Sequence, residues 1–239
     1  MKKALVTGGT KGIGFGIVEL LLKYNYFVTI TYASDDASAE LCAKSLKEYA
    51  GQFEILKINQ GCKQELQTLI NNLKSKKSID CIVCNAGATL KKSLQDVKDE
   101  EWENVMNVNL NSNVFLIRDL YDKIPSNSRI VFIGSLMGVY PHGTSLAYGV
   151  SKAAVHALTQ NLVKCFEGTG TTINAIAPGF VETDWQKDKP IEIRENIYKK
   201  TAIKRFATIE EVAKAVEFCL NNAFVNGSVI EVSGGYCFK

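Results

Sequence analysis

Tyr148 and Lys152 are the two residues whose types and spacing best fit acid–base chemistry. They are four residues apart in SLAYGVSKAAVHALTQ (145–160), where apolar residues recur at helical spacing, so both side chains lie on one face of a predicted helix. A free tyrosine has a pKa of about 10, which a neighbouring ammonium group lowers by favouring the phenolate. A tyrosine tuned in this way can act as a general acid or base. An exposed tyrosine beside a solvated lysine has the same spacing, so the interpretation depends on the rest of the chain.

The overall composition fits one α/β domain spanning residues 1–239. Of the 239 residues, 46% are hydrophobic and 22% are charged, which is ordinary for a water-soluble globular protein. The net charge of +3 is too small to indicate binding to nucleic acid or to an anionic membrane. The apolar run near the N-terminus ends at Val6, and the sequence has no run of 18 apolar residues. We therefore expect neither a signal peptide nor a membrane span, and we predict a cytoplasmic protein.

The seven cysteines are predicted to be reduced thiols, because they are odd in number, scattered, and not preceded by an export signal. Cys81 and Cys84 have the spacing of a redox or zinc pair. They fall, however, in a run typical of a buried strand, where residues three apart point to opposite faces. We interpret them as core residues and predict no metal site.

Short β-branched runs alternate with longer amphipathic runs along the chain. Strands are predicted at 4–7, 27–32, 53–58, 79–84, 129–134, 172–177 and 228–232. Helices are predicted at 12–23, 37–49, 63–75, 99–123, 147–166, 191–199 and 209–221. Continuous apolar strands separated by helices predict a Rossmann-type, doubly wound α/β fold, with seven parallel strands and helices on both faces. In such sheets, ligands bind beyond the carboxyl ends of the strands.

The segment after the first strand has the residues of a phosphate-binding loop. It reads TGGTKGIG (7–14), and its glycines permit a tight turn and close approach of the backbone to a pyrophosphate. The following helix offers unpaired N–H groups and the positive end of its dipole. Because the loop follows a strand and opens a helix, we interpret it as a nucleotide-binding loop rather than a plain turn. The residues expected to contact the cofactor here are Gly8, Thr10, Lys11, Gly12, Ile13 and Gly14.

The end of the second strand bears on the choice of cofactor. An NAD site usually has an acidic residue there to bind the ribose 2′-hydroxyl, whereas here Tyr32 ends the strand and Asp35 comes later. Lys11 could meet a 2′-phosphate, so we favour NADP(H). The alternative, in which Lys11 is solvated and Asp35 reaches back to a 2′-hydroxyl, stays open. Further cofactor contacts are expected after strands two, three and four, from Tyr32, Ala33, Ser34, Asn59, Gln60, Asn85, Ala86 and Gly87.

Several motifs together resemble the classical short-chain dehydrogenases/reductases over the whole chain. Besides the glycine loop, these are CNAG (84–87), NVNLNS (107–112), GS (134–135), YGVSK (148–152), NAIAPGFVETD (174–184) and GSVIEVSGG (227–235). Their order and spacing are similar to those of bacterial 3-oxoacyl-(acyl-carrier-protein) reductases. The resemblance implies NADPH-dependent reduction of a 3-oxoacyl thioester, linked to acyl carrier protein or to CoA, as in fatty acid biosynthesis.

The same resemblance implies roles for four catalytic residues. Tyr148 would protonate the carbonyl oxygen as hydride arrives, and Lys152 would lower the pKa of that tyrosine and bind the nicotinamide ribose. Ser135 would donate a hydrogen bond to the substrate oxygen, and Asn109 would hold a water that links Lys152 to solvent. Two donors aimed at an oxygen that gains negative charge stabilise it, while the hydride chemistry belongs to the cofactor.

Other implied contacts lie in the C-terminal third. Cofactor contacts are expected from Pro178, Gly179, Val181 and Thr183. Residues 180–205 would form a mobile substrate lid, in which Trp185 packs either on the substrate or on the lid itself. His142 would lie beside the substrate pocket, either touching the substrate or not, and His156 would lie at a packing or subunit surface.

Two further expectations concern partners. The resemblance implies tetramers that pair the helices predicted at 99–123 and 147–166 across subunits, and we expect a homotetramer or homodimer. Apolar residues of these helices, such as Leu116, Leu158 and Leu162, either serve that contact or only cover the sheet. Basic residues that help dock the acidic carrier protein in the reductases have no clear counterpart, although Lys123, Arg129 and Lys164 are nearby in sequence.

Three functions remain under consideration. The first is reduction of 3-oxoacyl thioesters. The second keeps the hydride chemistry but takes another ketone or secondary alcohol, such as a polyketide-like intermediate, a sugar or a small carbonyl compound. The third is a non-catalytic NADP(H)-binding protein, against which the complete set of four catalytic residues argues.

Overall fold

A parallel sheet organises the computed structural model, which describes residues 1–141 and 145–236. In these residues the sheet has seven strands in the order β3-β2-β1-β4-β5-β6-β7, and all of its pairings are parallel. The order reverses direction between β1 and β4, which confirms the predicted doubly wound Rossmann-type fold. The predicted position of His142 beside the pocket lies outside the described residues. The strands are β1 Lys2–Val6, β2 Tyr26–Tyr32, β3 Phe53–Lys57, β4 Cys81–Cys84, β5 Arg129–Ile133, β6 Thr172–Pro178 and β7 Val229–Val232.

Helices cover both faces of the sheet and form two apolar cores with it. One core includes Ile17 and Leu21 of α1 with Val212 of α9, and the other includes Leu69 of α3 and Leu116 of α5. No helix in residues 1–141 and 145–236 is both long and apolar enough to cross a bilayer. The helices are α1 Gly12–Lys23, α2 Asp36–Ser45, α3 Lys63–Lys74, α4 Asp99–Met106, α5 Ser112–Asp119, α6 Leu146–Cys165, α7 Asp184–Lys187, α8 Ile191–Lys199 and α9 Ile209–Asn221.

The predicted helix 99–123 is interrupted, and this is the main correction to the predicted elements. A π-helical turn, Asn107–Asn111, joins α4 to α5, and a short 3-10 turn, Tyr121–Lys123, follows α5. Polar side chains bond to the backbone here: Ser112 Oγ donates to Val108 O at 2.8 Å, and Asn113 Nδ2 donates to Asn109 O at 2.7 Å. Such bonds compete with the regular helical pattern, and π-helical turns often mark functional positions.

Two smaller differences concern the helices α2 and α7. The predicted helix 37–49 ends at Ser45 and is followed by a 3-10 turn at Lys47–Tyr49, whereas helix α7 within the predicted lid was not predicted at all. A four-residue helix is shorter than the window over which periodicity can be detected.

Cys81 and Cys84 are core residues, as predicted. Both are buried, and they belong to the two different apolar cores on opposite faces of the sheet. Burial raises the pKa of each thiol to about 12, so neither is a reactive thiolate at neutral pH.

Candidate active site

A cavity of about 830 Å³ lies at the carboxyl edge of the sheet. This is where ligands bind in doubly wound folds. Three of the predicted site residues, Thr10, Ser34 and Asn109, are not part of its lining: Thr10 and Asn109 are buried, and Ser34 is exposed to solvent. The predicted residues that line the cavity are Gly8, Lys11, Gly12, Ile13, Gly14, Tyr32, Ala33, Asn59, Gln60, Asn85, Ala86, Gly87, Ser135, Tyr148, Lys152, Pro178, Gly179, Val181 and Thr183.

The glycine loop is held in place by partly buried hydrogen bonds to the residues that follow β4. Asn85 Nδ2 donates to Thr7 O at 3.0 Å and to Gly8 O at 2.8 Å, and Thr7 Oγ1 accepts from the backbone N–H of Asn85 and Ala86. A Cβ on Gly14 would lie 2.3 Å from Gly8 O and 2.5 Å from Asn85 Nδ2, so a side chain cannot fit there without moving the loop. Gly8 itself has φ +61°, a conformation that favours glycine. Asn85 therefore shapes the loop, besides lining the cavity.

The N-terminus of α1 opens onto this cavity and fits a dinucleotide phosphate. Lys11 occupies the N-cap position, and no side chain caps the helix. The first N–H groups of a helix need partners from outside it, and together with the helix dipole they attract anions. Gly12 and Ile13, the first two helical residues, line the cavity. The loop and the helix end are therefore suited to hold the pyrophosphate of a dinucleotide.

Lys11 is paired with Asp35 rather than solvated. Its ammonium forms a salt bridge with the Asp35 carboxylate, which also accepts a hydrogen bond from Ser38 N at 3.0 Å and so caps α2. The Lys11 ammonium, together with Ser38, holds the pKa of Asp35 well below its usual range. A fixed, charged Asp35 thus lies beside the one lysine of the glycine loop, where a 2′-phosphate and a 2′-hydroxyl would be distinguished.

Tyr148, Ser135 and Lys152 converge on the opposite wall of the cavity. Lys152 Nζ donates to Ile133 O at 2.6 Å and lies 5.6 Å from the centre of the Tyr148 ring. A hydrogen bond links the hydroxyls of Tyr148 and Ser135. Tyr148 lies in the first turn of α6 and Ser135 is the second residue after β5, so a helix start and a strand end bring the two hydroxyls together.

The protonation of this group corrects one expectation. Burial raises the pKa of Tyr148, and the hydrogen bond from Ser135 only partly opposes this, so the phenol is not made acidic by Lys152 in this structure. Burial lowers the pKa of Lys152 instead, to about 8. Taking a charge out of water is costly, and here that cost exceeds the favourable interaction between the two groups.

Asn109 is a buried link between the β4 loop and α6. Its Oδ1 accepts from Ala88 N at 2.7 Å, and its Nδ2 donates to Ala88 O at 3.0 Å and to Ser151 Oγ at 2.8 Å. A Cβ on Gly87 would lie 3.5 Å from Asn109 Oδ1 and 3.7 Å from Lys152 Nζ, which shows that both polar groups meet the backbone at the same point. The π-helical turn places Asn109 at this junction.

His156 lies behind the loop that carries Ser135, which makes it a packing residue rather than a surface one. Its Nε2 accepts from Ser135 N at 3.4 Å, and the ring forms a second hydrogen bond with the backbone of Gly138. Burial and the nearby charge of Lys152 lower the pKa of His156 to about 4, so the ring is neutral at physiological pH. Its place one helical turn after Lys152 is the only sequence signal that it could belong to the site.

The predicted lid carries aromatic residues and ion pairs. Phe180 stacks on Phe206 with their ring centres 5.7 Å apart, and Arg194 lies over Phe206 at 4.6 Å. Trp185 lines the cavity, but 57% of its surface is exposed, so its ring is not packed into the lid. The sequence reasoning did not identify Lys91, Lys189 and Tyr236, which also line the cavity.

The basic residues considered for carrier docking lie at the other edge of the sheet. Arg129 is the first residue of β5, and its guanidinium donates to Leu220 O, Asn127 O and Ser128 O. Lys123 Nζ donates to Lys76 O at 3.1 Å. Lys164 pairs with Glu167 near the end of α6. None of these three residues lines the cavity among the described residues.

Comparisons with known proteins agree with this geometry. The family model described as short chain dehydrogenase matches residues 2–193. The chain is 32% identical to the 3-oxoacyl-(acyl-carrier-protein) reductase FabG of Haemophilus influenzae, over 98% of this chain and 97% of that protein. It is similar in structure to a short-chain dehydrogenase/reductase from Serratia marcescens (TM-score 0.91, 26% identity, covering 98% and 97% of the chains) and to BdcA, solved in complex with NADPH (TM-score 0.89, 25% identity, covering 99% and 94%). The chain therefore belongs to the short-chain dehydrogenase family.

Proposed function

We propose that this protein is an NADPH-dependent reductase of 3-oxoacyl thioesters, linked to acyl carrier protein or to CoA, which it converts to the 3-hydroxyacyl form. The observation that carries the proposal is that Tyr148, Ser135 and Lys152 meet in the same cavity as the glycine loop. The relatives named as 3-oxoacyl-(acyl-carrier-protein) reductases, such as the Haemophilus influenzae protein, support this substrate class.

In this proposal, Tyr148 is the general acid. Its raised pKa keeps the phenol protonated at neutral pH, which is the form that can donate a proton to a carbonyl oxygen. Ser135 supplies a second hydrogen bond to that oxygen, and the two donors stabilise the negative charge that develops on it. The nicotinamide of the bound cofactor supplies the hydride. The Lys152 ammonium favours the phenolate that remains after the proton has left, and Asn109 holds the β4 loop against the helix that carries both residues.

NADP(H) is the proposed cofactor. Lys11 supports it, because this cation of the glycine loop lines the cavity and β2 ends in Tyr32 rather than in an acidic residue. The NADPH complex of BdcA is a further support. The open N-terminus of α1 and the Gly8–Gly14 loop would bind the pyrophosphate, and Val181 and Thr183 would line the nicotinamide end.

The subunit arrangement is part of the same proposal. We expect a cytoplasmic homotetramer or homodimer formed through α4, α5 and α6. Leu116 is fully buried against the sheet, and Leu158 and Leu162 pack on the same core, so these residues serve the fold itself. Leu146 and Val150 of α6 are each 40% exposed and remain available to a second subunit. Sedimentation analysis would test this, with a monomer at micromolar concentration as the contrary result.

A second candidate is reduction of another ketone, favoured by one observation. The basic residues considered for carrier docking lie at the opposite edge of the sheet from the cavity. A free ketone does not need such a docking surface, whereas a thioester bound to a carrier protein does.

A substrate panel separates these proposals. NADPH oxidation is followed with acetoacetyl-carrier protein, acetoacetyl-CoA, small ketones and oxidised sugars, and each reaction is repeated with NADH. We expect the thioesters to have the highest kcat/KM and NADPH to be preferred. Efficient reduction of the ketones with no turnover of either thioester would support the second candidate and contradict the first.

A further inference from the structure

Two lysines that the catalytic chemistry does not use line the cavity from separate elements. Lys91 is exposed in the loop after β4, and Lys189 is partly buried in the connection between α7 and α8. Both side chains line the same cavity, and the charge of Lys91 acts on Lys189. Like charges held near each other in a partly buried site repel, and an anion placed between them removes that repulsion.

Two carboxylates of the predicted lid are engaged with other cations. Asp184 lines the cavity but pairs with Lys187, whose pKa the Asp188 charge also raises. Glu182 pairs with Arg194 at 2.5 Å. Within residues 1–141 and 145–236, neither Lys91 nor Lys189 forms a salt bridge.

The surroundings of Lys189 are positively charged as well. Burial lowers the pKa of Lys189, and the charges of Lys91 and Arg194 lower it further. Cations that act on one another, beside a carboxylate (Asp184) that is already paired with Lys187, attract anionic ligands. The apolar side chains of Met137 and Phe180 line the same cavity as these lysines and Tyr148.

We propose that Lys91 and Lys189 together bind an anionic group, a phosphate or a carboxylate, at the end of the substrate that stays near the surface while its carbonyl reaches Tyr148. This inference rests on the proposed function and narrows its substrate class to anionic carbonyl compounds. For a 3-oxoacyl thioester, the anion is the phosphate of the phosphopantetheine arm, which CoA and acyl carrier protein share. For a free ketone, it is the carboxylate of an oxo acid.

The main experiment compares two thioesters that differ by one phosphate, acetoacetyl-pantetheine and acetoacetyl-4′-phosphopantetheine. We expect the native protein to prefer the phosphorylated thioester by about tenfold or more in kcat/KM, with about fivefold from each lysine. The double variant Lys91→Gln/Lys189→Gln should reduce that preference to about twofold or less. Raised salt should reduce it as well, because it screens charges near the surface.

Each lysine has a matched control. Lys92 is the next residue after Lys91 and pairs with Glu101, and Lys199 is the exposed last residue of α8, the helix that follows Lys189. Neither control residue lines the cavity. The double variant Lys92→Gln/Lys199→Gln removes the same charge from neighbouring positions, and it should keep the preference of the native protein. An equal loss in both double variants would show a general charge effect and would overturn the proposal.

Two further measurements separate this proposal from the proposed function. Calorimetric titration of the NADP⁺-saturated protein with 4′-phosphopantetheine and with pantetheine tests the anion site without any turnover, and equal affinities would overturn its phosphate form. An oxo acid and its methyl ester test the carboxylate form, where the acid should be the better substrate. If neither thioester is reduced but the acid is preferred over its ester, the 3-oxoacyl assignment fails and the anion site stands. If thioesters are reduced with no phosphate preference, the anion site fails and the assignment stands.

Discussion

The two walls of the cavity are built by different means. The glycine-loop wall is fixed by backbone geometry: Asn85 bonds the carbonyls of Thr7 and Gly8, and no Cβ fits at Gly14. The lid wall is held by exposed ion pairs such as Asp184–Lys187, and it leaves Trp185 and Ile191 more than half exposed. Exposed ion pairs contribute little to stability, whereas buried hydrogen bonds are costly to lose. The difference indicates a rigid site for the cofactor and an adaptable one for the substrate.

The largest expected effect on cofactor affinity comes from breaking the rigid wall at Gly14. Gly14→Ala forces the loop away from Gly8 O, and a displacement of about 1 Å costs on the order of 100-fold, so we expect the Kd for NADPH to rise about that much. Trp185→Ala on the lid wall should change the KM for substrate and leave the Kd for NADPH within about twofold. Fluorescence titration with NADPH measures both affinities.

Gly16→Ala is the matched control for Gly14→Ala. Gly16 is in the same helix, but its Cβ would meet a side-chain methyl of Ile209 rather than the loop. This variant should lose thermal stability and keep its NADPH affinity. If it loses NADPH affinity as severely as Gly14→Ala, the loss reflects damage to α1 as a whole, and the account of the loop is wrong.

Some elements of the fold could be predicted from the sequence and others could not. The strands and the glycine loop were predicted closely, because a parallel strand reads as a continuous apolar run and the loop requires glycine at fixed positions. The break at Asn107–Asn111 was missed, because polar side chains that bond their own backbone leave no change in the apolar pattern. Helix α7 has four residues, which is too short for a repeating pattern of apolar residues to be detected.

Among the site residues, most of those defined by a motif line the cavity, although Thr10 and Asn109 do not, whereas those defined by three-dimensional proximity were not predicted. Tyr148 and Lys152 share a helix face, so their spacing reveals them. Lys91 and Lys189 are almost 100 positions apart, and only the folded chain brings them to one cavity. The protonation of Tyr148 was also misjudged, because burial cannot be measured from spacing.

His156 tests whether the part of the cavity that carries Tyr148, Ser135 and Lys152 is as rigid as the glycine-loop wall. His156→Leu removes the acceptor for Ser135 N and the bond to Gly138, so we expect kcat to fall about tenfold with the Kd for NADPH unchanged. His156→Gln, whose amide can both accept and donate, should restore most of the activity. Because the ring is neutral above about pH 4, His156→Gln should have the pH profile of the native protein. A change in the activity of the native protein near neutral pH that is absent from the pH profile of His156→Gln would contradict a positioning role.

The buried charge of Lys152 should lower the free energy of unfolding, whereas the hydrogen bonds of the glycine-loop wall should raise it. Its pKa falls from 10.5 to about 8 in the folded protein, so the buried ammonium costs on the order of 3 kcal/mol below pH 8. Between pH 8 and 10.5 the unfolded chain binds more protons than the folded protein. The free energy of unfolding therefore rises as the pH is raised from 8 to 10.5, and it falls again when the pH is lowered. Lys152→Met removes the charge but leaves Ile133 O unpaired, for a net gain of about 2 kcal/mol at neutral pH. Urea unfolding at neutral and alkaline pH measures this; a variant less stable than the native protein at neutral pH would refute it.

The smallest expected effect concerns the rim of the cofactor site. Lys11→Ala should lower the affinity for NADPH about fivefold and leave NADH almost unaffected, because only NADPH carries the 2′-phosphate. Asp35→Asn frees Lys11 from its salt bridge, keeps an oxygen to cap α2, and should raise the preference for NADPH a fewfold. Competitive titration gives both ratios. Equal affinity of the native protein for the two cofactors would reject Lys11 as a phosphate ligand.

The phenol of Tyr148 is the group on which the proposed chemistry depends most directly. Tyr148→Phe removes the hydroxyl and keeps the ring, so hydride transfer in a single turnover with bound NADPH should slow by about 1,000-fold while the Kd for NADPH stays unchanged. A hydride-transfer rate within about tenfold of the native rate would contradict Tyr148 as the general acid.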